Sequence, residues 1–466
     1  MEAAAGTGAD PAAAFRGEAL ERAFAAPGSS ATRQLALRVA RAGLEACDPA
    51  SAVERTVSLD GDVLTIAGQK YELHPGGRVI VLGSGKASLA IATALERVLG
   101  DRLEGGTVVV RDASGSPPLE RIGAIEASHP VPDERSHAAA RTLLDAATGL
   151  TENDLLIACF TGGSSALTSL PPQSVPLGHK QELHRLLLGS GMPITDVNVV
   201  RKQVSEFKGG RLAAAAHPAR VVNLTVSDVA GDPLDAITDP TVANSTSVED
   251  AIAVLHDWSL WDETPDSIRS HLSRSGSDAP VDLGPAEIQT ELLVTGEEAC
   301  AAMSAEAEKA GAKAFVLGTG IEEEASSVGR ILGQMAAESA AFGRPFAPPA
   351  VLVGCGGEST VRLGPDDQFG AGGPNREAAL AAATRIAGLD IAAVFLDTDG
   401  NDGSSDVAGA VVDGATLARS AGEAISIRTA LARHRSGELL AALGDEIVTG
   451  TTHTNVNDLF VIAIGR

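Results

Sequence analysis

Short runs of β-branched and aliphatic residues alternate with longer alanine-rich stretches along most of this chain, and the runs end in glycine, serine or aspartate. Val63–Ile66, Val79–Leu82, Thr107–Val110, Leu155–Phe160 and Val221–Val226 read as strands, and most lead into a helical pattern. Strands joined through helices must cross over before they pair, so the alternation predicts βαβ units and a mostly parallel sheet. Aromatic residues make up only 3% of the chain. The core must therefore be built from Ala, Val, Leu and Ile, which suits buried strands covered by helices.

A length of 466 residues exceeds one ordinary core and predicts at least two domains. The Ser-, Gly-, Pro- and Asp-rich segment Ser273–Gly284 is the best linker candidate. A second α/β series follows, with Leu292–Val294, a helix over Glu297–Ala310, then Ala314–Leu317, Ala350–Val353 and Ala392–Leu396. The expected division is a loosely ordered lead-in over 1–30, a first domain over 31–275 and a second, smaller one over 285–466. The last strand is free to return to the first domain.

Lys and Arg number 36 against 61 Asp and Glu, a net charge of −25, which argues against a general nucleic-acid binder. No run approaches eighteen apolar residues, so no membrane span is expected. The amino terminus lacks a basic segment followed by an apolar one, so no signal peptide is expected. Cys47, Cys159, Cys300 and Cys355 are widely spaced, and three lie in apolar runs. They read as buried thiols of a reducing, cytoplasmic protein.

Chemistry concentrates in the loops. Gly83-Ser84-Gly85-Lys86 follows a strand and opens an apolar helix, an arrangement that offers backbone amides and one full positive charge to an anion. It is not a Walker A loop, because Ile80 stands where the first glycine is needed and Ala87 replaces the hydroxyl residue. It is not a GxGxxG loop either, because Ser88 takes the third glycine's place. A tight turn with a solvated lysine remains the plain alternative. Thr161-Gly162-Gly163-Ser164-Ser165 ends a second strand and comes close to a GxSxG elbow, with Ser164 as nucleophile and His453 or His129 as base. Asp228 and Asp232 follow Val221–Val226, and Asp399 and Asp402 follow Ala392–Leu396; acidic loops at strand ends suit Mg2+ as readily as they make turns. Arg201, Lys202, Lys208 and Arg211 form the densest basic patch. A solvated helix face is its default reading.

The ordered series GSGKAS, SHPVPDERS, FTGGSSAL, NVVRKQVSEFKGG, SDVAGDPLDAI, GCGGESTV, GGPNRE, DTDGNDG and TGTTHTNVNDL resembles the glycerate 2-kinases, which join a Rossmann-like domain to a MOFRL-type carboxy-terminal domain. The resemblance runs from about residue 30 to the end. It implies an active site in the cleft between two α/β domains, with transfer of the ATP γ-phosphate to the 2-hydroxyl of D-glycerate and Mg2+ as cofactor. It further implies catalytic roles for Lys86, Asp228 and Arg376, and metal binding by Asp232, Asp399 and Asp402. Gly83, Ser84, Gly85, Gly162, Gly163, Ser164, Ser165, Arg201, Lys202, Lys208, Asp239, Glu358, Asn375, His453 and Asn455 are implied to contact nucleotide or substrate. The partners expected are ATP and a small hydroxy acid, with no nucleic acid and no membrane; a homodimer is compatible with the sequence. Some members of the family carry the label hydroxypyruvate reductase, and the missing third glycine argues against that chemistry here.

Three departures fall in loops that the family uses around its ligands. The usual SGPT is Thr238-Asp239-Pro240-Thr241, the usual GGRNQE is Gly372 to Glu377 with Pro374 for the arginine, and the usual TGPTGTN carries His453 for a glycine. Arg376 stands two places after the missing arginine, a rotation of about 200° along a helix. Three outcomes follow from these changes: a different polyhydroxy acceptor, glycerate held through the shifted arginine, or a catalytically impaired homologue with a binding role.

Overall fold

The structure, a computed structural model, describes residues 18–26, 29–113, 119–226, 234, 237–275, 288–357, 359–362 and 370–466. It divides into two compact units, Met1–Pro11 with Pro49–Leu293 and Ala12–Asp48 with Val294–Arg466.

In the first unit β1 (Val57–Asp60), β2 (Val63–Ile66) and β3 (Gln69–Glu72) form a small antiparallel sheet. Val63–Ile66 therefore does not belong to the parallel sheet. Its alternating burial marks a half-exposed strand, and tight Gly61 and Gly68 turns let it pair with its neighbours. The main sheet holds β4 (Val79–Ser84), β5 (Leu103–Val110), β6 (Ile122–Glu126), β7 (Leu155–Phe160), β8 (Arg220–Thr225) and β9 (Ile288–Leu292). Its order is β6-β5-β4-β7-β8-β9 and every pair is parallel. All six residues of β7 are buried, as a strand covered on both faces requires. Burying a side chain such as Leu156 or Phe160 stabilises by about 1.5–3 kcal/mol.

The second unit carries β10 (Lys313–Val316), β11 (Ala350–Gly356), β12 (Ile391–Asp397), β13 (Gly409–Asp413), β14 (Glu446–Ile447) and β15 (Asp458–Ile464) in the order β10-β11-β15-β12-β13-β14. Only β10 and β11 pair in parallel; β15 inserts between β11 and β12, antiparallel to both. The last strand thus stays in the second unit. The alanines of helix Pro374–Ile386 let helix Ala325–Phe342 approach closely, and a methyl at Gly329 would fall 2.0 Å from the Ala378 carbonyl. That contact explains how a core with few aromatics reaches full packing.

Two boundaries differ from the division expected above. Ile288–Leu292 pairs with β8, so it closes the first sheet rather than opening the second. Helix Ala31–Ala46 groups with the second unit. Arg33 bonds Asp413 at 2.9 Å and Asp445 at 2.7 Å, Thr32 bonds Asp390 at 2.6 Å, and a methyl at Gly43 would meet Met303 at 2.6 Å. These contacts join positions hundreds of residues apart, and no local pattern announces them.

Candidate functional site

Counted from β4, the parallel sheet runs 3-2-1-4-5-6, and its progression reverses between β4 and β7. In open α/β sheets, ligands bind outside the carboxyl ends of the strands at such a switch point. The loops that begin at Gly83 and Thr161 leave these two strands there. They are laced together by backbone amides: Thr161 N–H donates to the Ser84 carbonyl at 2.9 Å, Lys86 N–H to the Gly162 carbonyl at 2.9 Å, and Ala87 N–H to Thr161 Oγ1 at 3.1 Å. A methyl at Gly83 would lie 2.2 Å from Cys159 Sγ, and one at Gly85 (φ +121°) 2.3 Å from Thr161 Oγ1. Both glycines are therefore required by the neighbouring chain itself. Gly163 differs: it holds φ +86°, and its nearest neighbours are the His129 ring at 3.3 Å and Lys86 Cγ at 3.7 Å from a methyl built there. Lys86 is partly exposed beside it, at the start of helix Ser88–Leu99.

Ser164 Oγ lies 3.3 Å from Thr168 Oγ1, so its polar neighbour is a hydroxyl rather than a histidine. The nucleophile-elbow arrangement is not built. Ser84 Oγ, Ser165 Oγ and Ser169 Oγ are buried with no hydrogen-bond partner among the described residues. Buried hydroxyls of this kind are normally satisfied by water or ligand.

Behind these loops the first unit buries its basic residues. Arg201, Lys202 and Lys208 are between 2% and 7% exposed, so the patch is not a solvated face. Two further groups, which the sequence reading did not single out, join them: Lys180 and His184, both 4% exposed and one turn apart on helix Leu177–Gly189. Lys180 donates to the Val204 carbonyl at 2.8 Å, Lys208 to the Thr168 carbonyl at 2.6 Å, and Arg201 to Asn198 Oδ1 at 3.4 Å. Phe207 stacks edge-on against Phe160 at 5.8 Å, which fixes Lys208 at the end of β7. Burial and the Arg201 charge bring Lys180 down to about 7; burial, Lys180 and Arg201 bring Lys208 well below the ordinary lysine range. Burial and the same three cations push His184 down to about 3. Asp239 turns inward, its carboxylate accepting from Asn223 Nδ2 at 2.8 Å and from the Thr241 amide and hydroxyl at 2.7 Å. There it organises the turn that receives the Gly209 amide.

In the second unit the expected ligand residues are committed to one another. Arg376 donates through Nε to Asp402 at 2.9 Å, through Nη1 to Glu446 at 2.9 Å and through Nη2 to Ser405 at 2.6 Å. Asp402 also accepts the Asn375 and Arg376 amides and so caps helix Pro374–Ile386. Arg376 consequently holds this unit together instead of presenting a guanidinium to a ligand. Pro374 is the first helical residue, where a missing N–H costs nothing. Asn375 Nδ2 donates to Asp458 at 2.6 Å, Asp399 Oδ1 accepts the Asn401 amide at 2.7 Å, and Asn455 Oδ1 accepts the Asn457 amide at 3.1 Å. His453 holds φ +58°, the left-handed conformation for which glycine is the easy residue. Asp228, Asp232 and Glu358 lie outside the described residues. Among the described residues no group of three or more His, Cys, Asp or Glu side chains is placed to hold a metal ion. All four cysteines are buried thiols.

A six-stranded parallel sheet with a glycine loop at its switch point, followed by a unit built on a mixed sheet, defines a two-part α/β protein of the nucleotide-enzyme type. Residues 35–273 match the family described as Domain of unknown function (DUF4147), and residues 351–458 match the MOFRL family. A glycerate 2-kinase of Pyrococcus horikoshii is 38% identical over 93% of this chain and 97% of its own length. A putative hydroxypyruvate reductase of Agrobacterium vitis is 41% identical over 84% of this chain and all of its own. The crystal structure of a glycerate kinase from Thermotoga maritima superimposes with a TM-score of 0.79 at 33% identity, covering 92% of this chain and 99% of that one. The chain belongs to the glycerate 2-kinase family. No helix among the described residues is long and apolar enough to cross a membrane.

Proposed function

We propose that this protein transfers the terminal phosphoryl group of MgATP to a hydroxyl of a small hydroxy acid, with D-glycerate the first acceptor to test. The observation that carries this reading is Lys86 beside Gly163 at the switch point of the first sheet. Phosphoryl transfer asks little covalent chemistry of a protein and depends on positioning and charge stabilisation. Lys86 supplies a cation where negative charge accumulates, and the first turn of helix Ser88–Leu99 adds oriented amides. The buried basic residues hold the anionic end of a ligand.

Of the aspartates expected to bind Mg2+, Asp402 does not fit, because its carboxylate already accepts from Arg376 and two backbone amides. The described residues build no resident cation site. Asp228 and Asp232 lie outside the described residues, and in this reading Mg2+ enters as part of the nucleotide substrate, with no step routed through a protein-held ion.

A reductase reading is favoured by the names of two Agrobacterium vitis relatives. Ser88 is buried and its hydroxyl donates to the Gly85 carbonyl at 2.8 Å, so the position that a dinucleotide loop keeps open is closed by the loop itself.

ADP release should be followed with D-glycerate, tetronates, pentonates and neutral sugars, and NADH oxidation with hydroxypyruvate. ATP-dependent turnover of a hydroxy acid, abolished in Lys86→Ala, is the expected result. Nucleotide binding without turnover on any acceptor would instead leave a binding protein, and NADH oxidation would replace the kinase with a reductase.

A further inference from the structure

Lys180 and Lys208 present an electrostatic problem that the described chain does not solve. Both ammonium groups are almost wholly buried, and each donates one hydrogen bond, to a neutral backbone carbonyl. Neither forms an ion pair with a carboxylate among the described residues. Arg201 shares the same interior, and His184, hydrogen-bonded to Pro130, stands beside all three. Buried charges are ordinarily paired, because desolvation costs several kcal/mol per ion. A cluster of like charges adds mutual repulsion to that cost.

The position of the cluster gives it a purpose. Lys208 holds the carbonyl of Thr168, the residue whose amide donates to the Ser164 carbonyl and closes the short helical turn begun at Gly163 and Ser164. His184 reaches Pro130, whose neighbour His129 lies against Gly163 and, through it, Lys86. Ser169, adjacent to Thr168, is 1% exposed, and its hydroxyl has no partner among the described residues. The cations and this hydroxyl therefore stand directly behind the loop that leaves β7. On a chain with a net charge of −25, an anionic ligand needs such a local concentration of positive charge to be held at all.

We propose that Lys180, Lys208 and Arg201, flanked by His184, form a buried oxyanion subsite of the first unit that receives a carboxylate or phosphate group. The proposal rests on the kinase reading and deepens it. The carboxylate would come from the acceptor, the phosphate from the nucleotide. Lys180 and Lys208 each retain two N–H groups to offer, and an arriving anion supplies the missing counter-charge. Burial lowers both lysines below their ordinary range, and an arriving anion favours their charged form.

The test uses the full chain and inorganic phosphate at constant ionic strength, followed by calorimetry and thermal melting. At a pH well above the second ionisation of phosphate, where the free anion is the dianion, phosphate is expected to bind the native protein with uptake of a fraction of a proton, seen as a dependence of binding heat on buffer ionisation. In Lys180→Met and Lys208→Met its dissociation constant should rise at least tenfold. Should neither variant fold, the proton uptake of the unmodified protein decides: phosphate binding without it, or no phosphate binding, overturns the subsite. In folded variants, unchanged affinity within twofold overturns it as well. Steady-state kinetics then separate the two sources. A KM for the hydroxy acid raised tenfold with that for ATP unchanged assigns the carboxylate, and the reverse assigns the phosphate. Loss of phosphate binding in variants of a protein without turnover would keep the subsite and sink the kinase; turnover with unaltered phosphate affinity would do the opposite.

Discussion

The two units carry loops of the same style, rich in glycine, aspartate and basic residues, and put them to opposite uses. In the second unit Arg376, Asp402, Glu446, Asn375 and Asp458 satisfy one another, so its acidic and basic residues act as internal struts. In the first unit Lys180, Lys208 and Arg201 are buried side by side, and neither lysine has a carboxylate partner among the described residues. A closed charge network stabilises the fold that contains it. A cluster of one sign costs stability, and in the proposed subsite a bound anion offsets that cost. Burial and partners, not residue type, set the two arrangements apart.

The largest effect expected from breaking the contrast falls on the struts. Arg376→Ala should cost about 3–5 kcal/mol in urea unfolding, because it leaves Asp402 buried without its cation. Arg376→Lys should recover less than half of this, since one ammonium cannot reach three partners. A loss below about 1 kcal/mol would show that the network is not what holds this helix. Lys86→Ala should behave in the reverse way, with the melting temperature nearly unchanged. Its kcat should fall by about 100- to 1000-fold, equivalent to about 2.7–4 kcal/mol of transition-state stabilisation.

A smaller, pH-dependent effect sharpens the description of the cationic cluster. The folded chain holds His184 at about 3 against an ordinary 6.5, so between those values the unfolded chain binds the extra proton. Stability from this group is complete above about pH 6.5 and is lost as pH falls towards 3, by about 1.4 kcal/mol per pH unit. The difference between native protein and His184→Gln in chemical denaturation at pH 7 and pH 5 should show it; parallel losses would refute it. The smallest effect concerns His453. Relieving its left-handed backbone in His453→Gly should stabilise by about 0.5–1 kcal/mol, whereas His453→Val should destabilise.

Much of the first unit was legible in the sequence. Apolar runs followed by glycine, serine or aspartate gave β4, β5, β7 and β8, and the Lys86 loop stands where a strand meets a helix. The Arg201–Lys208 patch was visible as charge, although its default reading as a solvated face was the reverse of the burial found. Lys180 and His184 gave one usable signal, a four-residue spacing on a helix, and it was lost among ordinary polar positions. The shifted arginine illustrates the other limit. Position 376 looked free to replace the arginine missing at 374, yet its partners Asp402 and Glu446 lie 26 and 70 residues further along the chain.

The sequence by itself determined the alternation of strand and helix, the family, and the loops from which chemistry can issue, because these follow from local propensity and residue order. Only the tertiary structure decided which charges are spent inside the fold and which stay available, because pairing and burial depend on contacts between distant segments. Helix Ala31–Ala46 shows the same rule at the scale of a whole element. Its sequence specifies a helix, and Asp413 and Asp445 decide which unit it joins.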